Sequence, residues 1–182
     1  MLVLASLLAK WSRRLNLTAH RALDAIVQRL LLEAAALAAQ IPPVASLADI
    51  GSGAGFPGLP IAVLRPETRV TLVEARQKRH HFQRAVVREL GLANATLELG
   101  RAEKLEARPH AAAIAQALAP PARALPWLLP WVADGGLVLF PGSALPPEVP
   151  ERADVSFEAT IRYRVPCGGP DRSLWIGRRR SR

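Results

Sequence analysis

The chain has 182 residues, 50% of them hydrophobic, which is enough for one substantial core and too few for several domains of ordinary size. Its formal net charge of +9 and isoelectric point near 11.3 attract polyanions, so nucleic acid is the first partner to consider. The uncharged apolar run at residues 1–9 is far shorter than the roughly 18 residues of a membrane span, and the single cysteine, Cys167, excludes an internal disulfide.

The first 43 residues are predicted to be helical. Apolar residues recur at three- and four-residue spacing from Leu2 to Leu15 and again from Arg21 to Gln40, which is typical of two amphipathic helices. The pair Pro42-Pro43 ends the second helix. We expect this segment, 1–43, and a Rossmann-like core, 44–182, to form a single domain of a monomeric, soluble, cytoplasmic protein with no membrane partner.

Strands and helices are predicted to alternate after residue 43. Five strand patterns occupy residues 47–50, 69–74, 95–99, 111–117 and 136–140, and two helical patterns occupy 77–90 and 122–132. Alternation of this kind predicts an α/β fold with a mostly parallel sheet covered on both faces. Two further extended runs, 155–165 and 173–178, predict a terminal hairpin, and the last residues, 178–182, predict a basic tail that is either disordered or in contact with phosphate.

A glycine-rich turn follows the first predicted strand. Gly51, Gly53 and Gly55 allow a sharp turn and let a ligand approach backbone amides that a Cβ would block. About twenty residues later, Glu74 ends the second strand, where a carboxylate can accept hydrogen bonds from ribose hydroxyls. Together the turn and the acid predict a site for a nucleoside cofactor.

A nicotinamide cofactor is the first alternative, because Gly53, Gly55 and Gly58 have the spacing G-x-G-x-x-G. The register is against it, since counting from Gly51, the first glycine after the strand, puts Phe56 at the third glycine position. The chain also lacks a tyrosine with a lysine nearby in sequence, the pair that hydride chemistry would use. Methyl transfer from S-adenosylmethionine needs no such pair, because a nucleophilic nitrogen can attack once both reactants are held close.

The segment 49–60, which reads D-I-G-S-G-A-G-F-P-G-L-P, resembles the signature of the bacterial small-subunit ribosomal RNA guanine-N7 methyltransferases, the glucose-inhibited division protein B family. Further matches follow the family's order along nearly the whole chain, apart from a shortened N-terminus: Trp11, Asn16-Leu17-Thr18, Arg65-Pro66, Lys78-Arg79, Phe82, Leu90-Gly91-Leu92, Asn94, Arg101-Ala102-Glu103, Val165-Pro166 and Arg172. The resemblance implies a class I methyltransferase fold, S-adenosylmethionine as cofactor, and N7 of a guanine in small-subunit (16S) ribosomal RNA as acceptor.

The resemblance also implies which residues form the cofactor site. It places contacts at Gly51, Phe56, Ala102 and Glu103 and turns Glu74 toward the ribose. The full set of predicted cofactor-binding residues is Gly51, Gly53, Gly55, Phe56, Glu74, Ala102, Glu103 and Gln116. No catalytic residue is assigned, and no metal site is expected, because Cys167 has no Cys or His neighbour at ligand spacing.

Three departures from the family pattern fall on the substrate side. Where the family has Arg-His-x-x-Asp-Ser, residues 29–34 of this chain read R-L-L-L-E-A. The family's Ser-Arg-Ala is replaced by Ala115-Gln116-Ala117, and its Lys-Gly is replaced by Pro141-Gly142. Three explanations are open: the alignment is shifted at these positions, other arginines such as Arg13, Arg14 and Arg123 replace the missing groups, or the chain is a divergent paralogue. Such a paralogue would bind the cofactor but have another substrate, or be a non-catalytic RNA-binding module.

The sequence leaves four questions open: which nucleotide is methylated, whether naked RNA or the assembled subunit is the substrate, whether the replacements at Leu30, Gln116 and Pro141 abolish or redirect activity, and what the oligomeric state is. RNA binding is predicted to be largely electrostatic and to involve Arg13, Arg14 and the tail from Arg178 onward.

Overall fold

A computed structural model describes residues 1–12, 15, 17–18 and 22–181. Seven strands in these ranges form one sheet: β1 (Ser46–Ile50), β2 (Arg69–Glu74), β3 (Ala95–Leu99), β4 (His110–Ile114), β5 (Val132–Gly142), β6 (Val155–Arg164) and β7 (Asp171–Arg179). Their order is β3-β2-β1-β4-β5-β7-β6, and the first five are parallel. The predicted α/β fold with a mostly parallel sheet and a terminal antiparallel hairpin is confirmed.

The hairpin joins the parallel sheet through its second strand. β7 pairs antiparallel with β5, and β6 pairs antiparallel with the other side of β7. Most of β7 is buried, whereas β6 is largely half-buried or exposed. An uninterrupted apolar run such as Leu174-Trp175-Ile176 suits a strand between two neighbours, and β6, with charged residues along its length, forms the edge.

Helices cover both faces of the sheet. They are α1 (Leu2–Ser12), α2 (Leu23–Ile26), a π-helical turn (Val27–Leu31), α3 (Leu32–Gln40), α4 (Gly58–Leu64), α5 (Gln77–Leu90) and α6 (Pro121–Leu128). Alternate strand residues point to opposite faces, so Leu47 packs with α1 to α5 while Ala48 packs with α6. None of the described helices is long and apolar enough to cross a membrane.

Several predicted boundaries were wrong. The fourth strand ends at Ile114 rather than at residue 117, while the first helix extends to Ser12 and residues 13–14 of its predicted range lie outside the described residues. The helix expected at 122–132 ends at Leu128 and continues as a 3₁₀ turn, Leu129–Trp131, because Pro130 lacks the amide that a further α-helical turn needs. β5 accordingly begins at Val132, four residues before the predicted start.

The prediction of a basic tail was also wrong for its first two residues. Arg178 and Arg179 belong to β7. The Arg178 guanidinium donates to the Glu158 carboxylate and to the Gly135 carbonyl oxygen (2.6 Å). Arg179 donates to the Leu129 and Val132 carbonyl oxygens at 2.8 and 2.5 Å. These arginines tie β7 to β5, to β6 and to the 3₁₀ turn before β5, so truncation at residue 178 would remove structural contacts as well as charge.

Candidate cofactor and substrate site

The glycine-rich turn begins where β1 ends. The amides of Gly51 and Ser52 both donate to the Val73 carbonyl oxygen, at 2.9 and 3.0 Å, which ties the turn to β2. Gly51, Gly53 and Gly55 have φ of 72°, 59° and 86°, in the left-handed region that side chains disfavour.

Packing restricts two of the three glycines further. A Cβ on Gly51 would lie 2.4 Å from Leu118 Cδ1, and one on Gly55 would lie 2.2 Å from Leu59 Cδ1. The nearest atom to a Cβ on Gly53 is 3.7 Å away, so only its backbone conformation restricts that position within the folded chain.

Glu74 ends β2 beneath the turn and is 4% exposed. Its Oε2 accepts a hydrogen bond from the Gly53 amide at 2.8 Å, and its Oε1 accepts one from the Arg76 amide at 2.7 Å. The carboxylate therefore holds the glycine turn against the end of β2. Each oxygen keeps a further lone pair that can accept from a ligand hydroxyl.

Asp49 lies deeper in the same region, on β1, and is 1% exposed. Its Oδ2 accepts from the Gly58 amide at 2.8 Å at the start of α4, and within the described ranges its Oδ1 has no hydrogen-bond partner. Burial raises the pKa of Asp49 to about 7 and the Glu74 charge adds to the rise, while the Gly58 bond opposes it. This residue was not predicted from the sequence, although a carboxylate inside an apolar strand is a usable signal.

Gln83 supports the turn from α5. Its Nε2 donates to Ser52 Oγ at 2.8 Å and to the Gly53 carbonyl oxygen at 2.9 Å, and the side chain is fully buried. Gln83 was not predicted from the sequence either. The available signal was an uncharged polar residue on the apolar face of a helix, three positions before the buried Val86.

A cavity of about 410 Å³ opens at the carboxyl ends of β1 and β2, the edge at which open parallel sheets bind ligands. It is lined by Ile50, Gly51, Val73, Glu74, Ala75, Arg76, Arg79, Gly100, Arg101, Ala102, Glu103, Ala117, Leu118 and Trp127. Its volume is in the range of small-molecule sites. Its lining combines apolar surface with three arginines and two carboxylates, and of the two carboxylates Glu74 is the one held by backbone amides.

The cavity brings together four of the eight predicted cofactor-binding residues, namely Gly51, Glu74, Ala102 and Glu103. Gly53 reaches it indirectly through its bond to Glu74. Gly55 and Phe56 do not line it; Phe56 packs against the core on the α1-to-α5 face. The structure adds Arg76, Arg79, Leu118 and Trp127 to the lining.

Gln116 lines a second cavity, of about 330 Å³, at the carboxyl ends of β4 and β5. The lining residues are Glu33, Leu37, Gln116, Ala117, Pro141, Gly142, Ser143, Tyr163 and Arg172. Ala117 lines both cavities, so they adjoin there. Two of the three substrate-side departures, at Gln116 and Pro141, therefore fall in one place, while Leu30 packs against the core.

The other predicted substrate-side groups are three arginines. Arg13 and Arg14 are outside the described residues, and Arg123 is exposed on α6 and lines neither cavity. Across the described ranges, His, Cys, Asp and Glu side chains form no group that could hold a metal ion.

The chain matches the family model GidB, rRNA small subunit methyltransferase G, over residues 1–174. A protein of that name from Halorhodospira halophila is 36% identical over 163 residues, which is 89% of this chain and 78% of the relative. One from Neisseria meningitidis serogroup B is 34% identical over 178 residues, covering 97% of this chain and 86% of the relative.

Solved structures show the same fold at low sequence identity. The mitomycin 7-O-methyltransferase MmcR has a TM-score of 0.68 at 19% identity, over 97% of this chain and 60% of that one. An MtNAS variant in complex with S-adenosylmethionine has a TM-score of 0.67 at 14% identity, over 99% and 73%. The sequence resemblance is confirmed, and the chain belongs to the GidB family, rRNA small subunit methyltransferase G.

Proposed function

We propose that this chain transfers a methyl group from S-adenosylmethionine to N7 of a guanine in small-subunit ribosomal RNA. The observation that carries the proposal is the cavity beside the glycine turn, with Glu74 fixed by two backbone amides, in a member of a small-subunit rRNA methyltransferase family. The monomeric state and the cytoplasmic location stay predictions.

The chain's own residues suit the cofactor. The remaining lone pairs of Glu74 accept hydrogen bonds from the ribose hydroxyls. Leu118 and Trp127 offer apolar surface to the adenine. Ala102 and Glu103, on the 3₁₀ turn after β3, also line the cavity. S-adenosylmethionine, when bound, would supply a methyl group on a sulfonium. Transfer of that methyl releases a neutral thioether, which needs no proton.

Guanine N7 has an in-plane lone pair, so no proton has to be removed before it attacks. The protein's task is then to hold the base and the methyl carbon in line, and orientation of this kind can supply much of the rate enhancement. Burying the base in a cavity also requires taking it out of its stack in the RNA.

A stripe of basic residues on α5 offers a surface for the RNA. Lys78, His81, Arg84 and Arg88 are exposed on one side of the helix, and none of them has an ion-pair partner among the described residues. The stripe spans about 15 Å and starts four residues after Glu74. Trp11 lies in the same shallow cleft as His81, Arg84 and Arg88, where an unpaired base could stack.

The double variant Arg84→Ala/Arg88→Ala is expected to weaken RNA binding and to reduce the slope of log affinity against log salt by about 1.5, because two phosphate contacts are lost. S-adenosylmethionine affinity should not change, since neither residue lines the cofactor cavity. The matched control is Arg69→Ala/Arg108→Ala, which removes the same charge from exposed positions at the amino-terminal end of the parallel strands. Equal salt slopes for the two double variants would contradict an RNA-binding role for α5.

The proposed reaction is tested with purified protein, methyl-labelled S-adenosylmethionine, and either naked 16S RNA or assembled small subunits. Nucleoside mass spectrometry is expected to show labelled 7-methylguanosine in at least one of the two substrates. A different methylated nucleoside would redirect the substrate assignment. Cofactor binding without any methylated product would identify a non-catalytic module instead.

A further inference from the structure

The second cavity holds a fixed ion pair that the proposed reaction has not used. Arg172 Nη2 donates to both carboxylate oxygens of Glu33, at 3.0 and 2.9 Å, and Arg172 Nε donates to Oε2 at 3.1 Å. The side chains of Glu33 and Arg172 are 17% and 27% exposed. A two-pronged pair that is partly buried restricts the orientation of both groups, so the carboxylate is held in a defined place.

The charge of the cavity argues for an uncharged ligand. Glu33 and Arg172 are the only charged residues of its described lining, and they neutralise each other. Where the family pattern has an arginine and a lysine, this chain has Gln116 and Pro141. A neutral cavity with an aromatic wall at Tyr163 suits a nucleobase better than a phosphate group.

Resting on the function proposed above, we propose that this second cavity receives the acceptor base and that Glu33 recognises the Watson–Crick edge of guanine. That edge presents the N1–H and N2–H₂ donors side by side, and a carboxylate is an acceptor for both. Arg172 donates twice to Oε2 and once to Oε1, so Oε1 keeps a free lone pair for the N2 amino group, and N1–H would share the same oxygen. Adenine presents an acceptor at N1, which the carboxylate repels.

The same placement orients the reacting atom. N7 lies on the opposite side of guanine from the edge that Glu33 would bind. Ala117 adjoins the cofactor cavity, so a base held by Glu33 can point N7 toward Ala117 and the cofactor beyond it. Ala117 has φ of 52°, a conformation unfavourable for a residue with a Cβ, and such conformations concentrate at functional sites. Its small side chain keeps the passage between the cavities short.

The neighbouring Tyr163 stays a neutral phenol over the working pH range. Burial raises the pKa of Tyr163 to about 12, Arg172 opposes the rise, and Glu33 adds to it. Its half-buried ring can therefore stack on a base without adding charge to the cavity.

Replacing the target guanine with inosine tests the proposal, because inosine keeps N7 and N1–H but lacks the N2 amino group. Once the methylated position is known, two RNAs that differ only there are compared. Wild-type protein is expected to show a kcat/KM about tenfold or more lower on the inosine RNA, the effect of one lost hydrogen bond to a charged group. In Glu33→Gln this preference should largely disappear, with S-adenosylmethionine affinity unchanged.

Glu158→Gln is the matched control, since Glu158 also pairs with an arginine but lies on the exposed edge strand β6. It should keep the wild-type preference. If Glu33→Gln does not fold, Glu33→Asp keeps the charge and should lower kcat/KM on the guanine RNA while retaining the preference. Equal wild-type rates on both RNAs, or an unchanged preference in folded Glu33→Gln, would overturn the inference and leave the proposed function standing. No methylation of either RNA by wild-type protein would overturn both.

Discussion

Glu74→Ala is expected to lower the affinity for S-adenosylmethionine by about 100-fold, or roughly 3 kcal/mol, the effect of losing hydrogen bonds to a charged acceptor. The change acts in two ways. It removes the oxygens proposed to bind the ribose, and it leaves the Gly53 and Arg76 amides without their acceptors. The turn itself should then loosen, so the melting temperature should fall as well. Calorimetric titration and thermal unfolding measure the two effects separately.

Glu74→Gln keeps the size of the side chain but changes its hydrogen bonding. Its carboxamide offers one oxygen and one NH₂ group, so one of the two backbone amides would face a donor. We therefore expect Glu74→Gln to lose nearly as much affinity as Glu74→Ala. The control is Glu89→Ala, which removes an equal charge from an exposed position on α5. Wild-type affinity in Glu74→Gln would argue against the proposed role of Glu74.

Asp49→Asn is expected to change the pH dependence of stability strongly. The pKa of Asp49 is raised from its ordinary value of 3.8 to about 7 in the folded protein, so folding favours the protonated form. The resulting stabilisation is complete below about pH 4 and is lost as the pH rises through 7. A shift of this size corresponds to about 4 kcal/mol.

Asparagine keeps an acceptor for the Gly58 amide and has no charge to bury. Relative to wild type, the free energy of unfolding of the variant should therefore rise by about 4 kcal/mol between about pH 4 and pH 8. Urea denaturation at several pH values measures it. Burial also lowers the pKa of His80 and of His110, so these histidines contribute to the pH dependence of wild-type stability. The difference between the two proteins isolates the contribution of Asp49. A difference that stays constant over this range would contradict the prediction.

The proximity of the glycine turn to Glu74 was predictable because its signals are local. Gly51, Gly53 and Gly55 follow a strand, and Glu74 ends the next one, so the parallel pairing of β1 with β2 brings them together. The helical spacing of apolar residues likewise predicted α5, and Gly91, with φ of 61°, ends that helix.

Contacts between distant parts of the chain needed the tertiary structure. Glu33 and Arg172 are 139 residues apart, and they meet because β7 pairs with β5 while α3 packs on the same face of the sheet. The structural role of Arg179 likewise depends on where β7 enters the sheet. Local periodicity determines which elements form and which face each one buries. Strand order depends on packing the whole chain, and together with the position of α3 it brings Gln116, Pro141 and the Glu33–Arg172 pair to one cavity beside the proposed cofactor cavity.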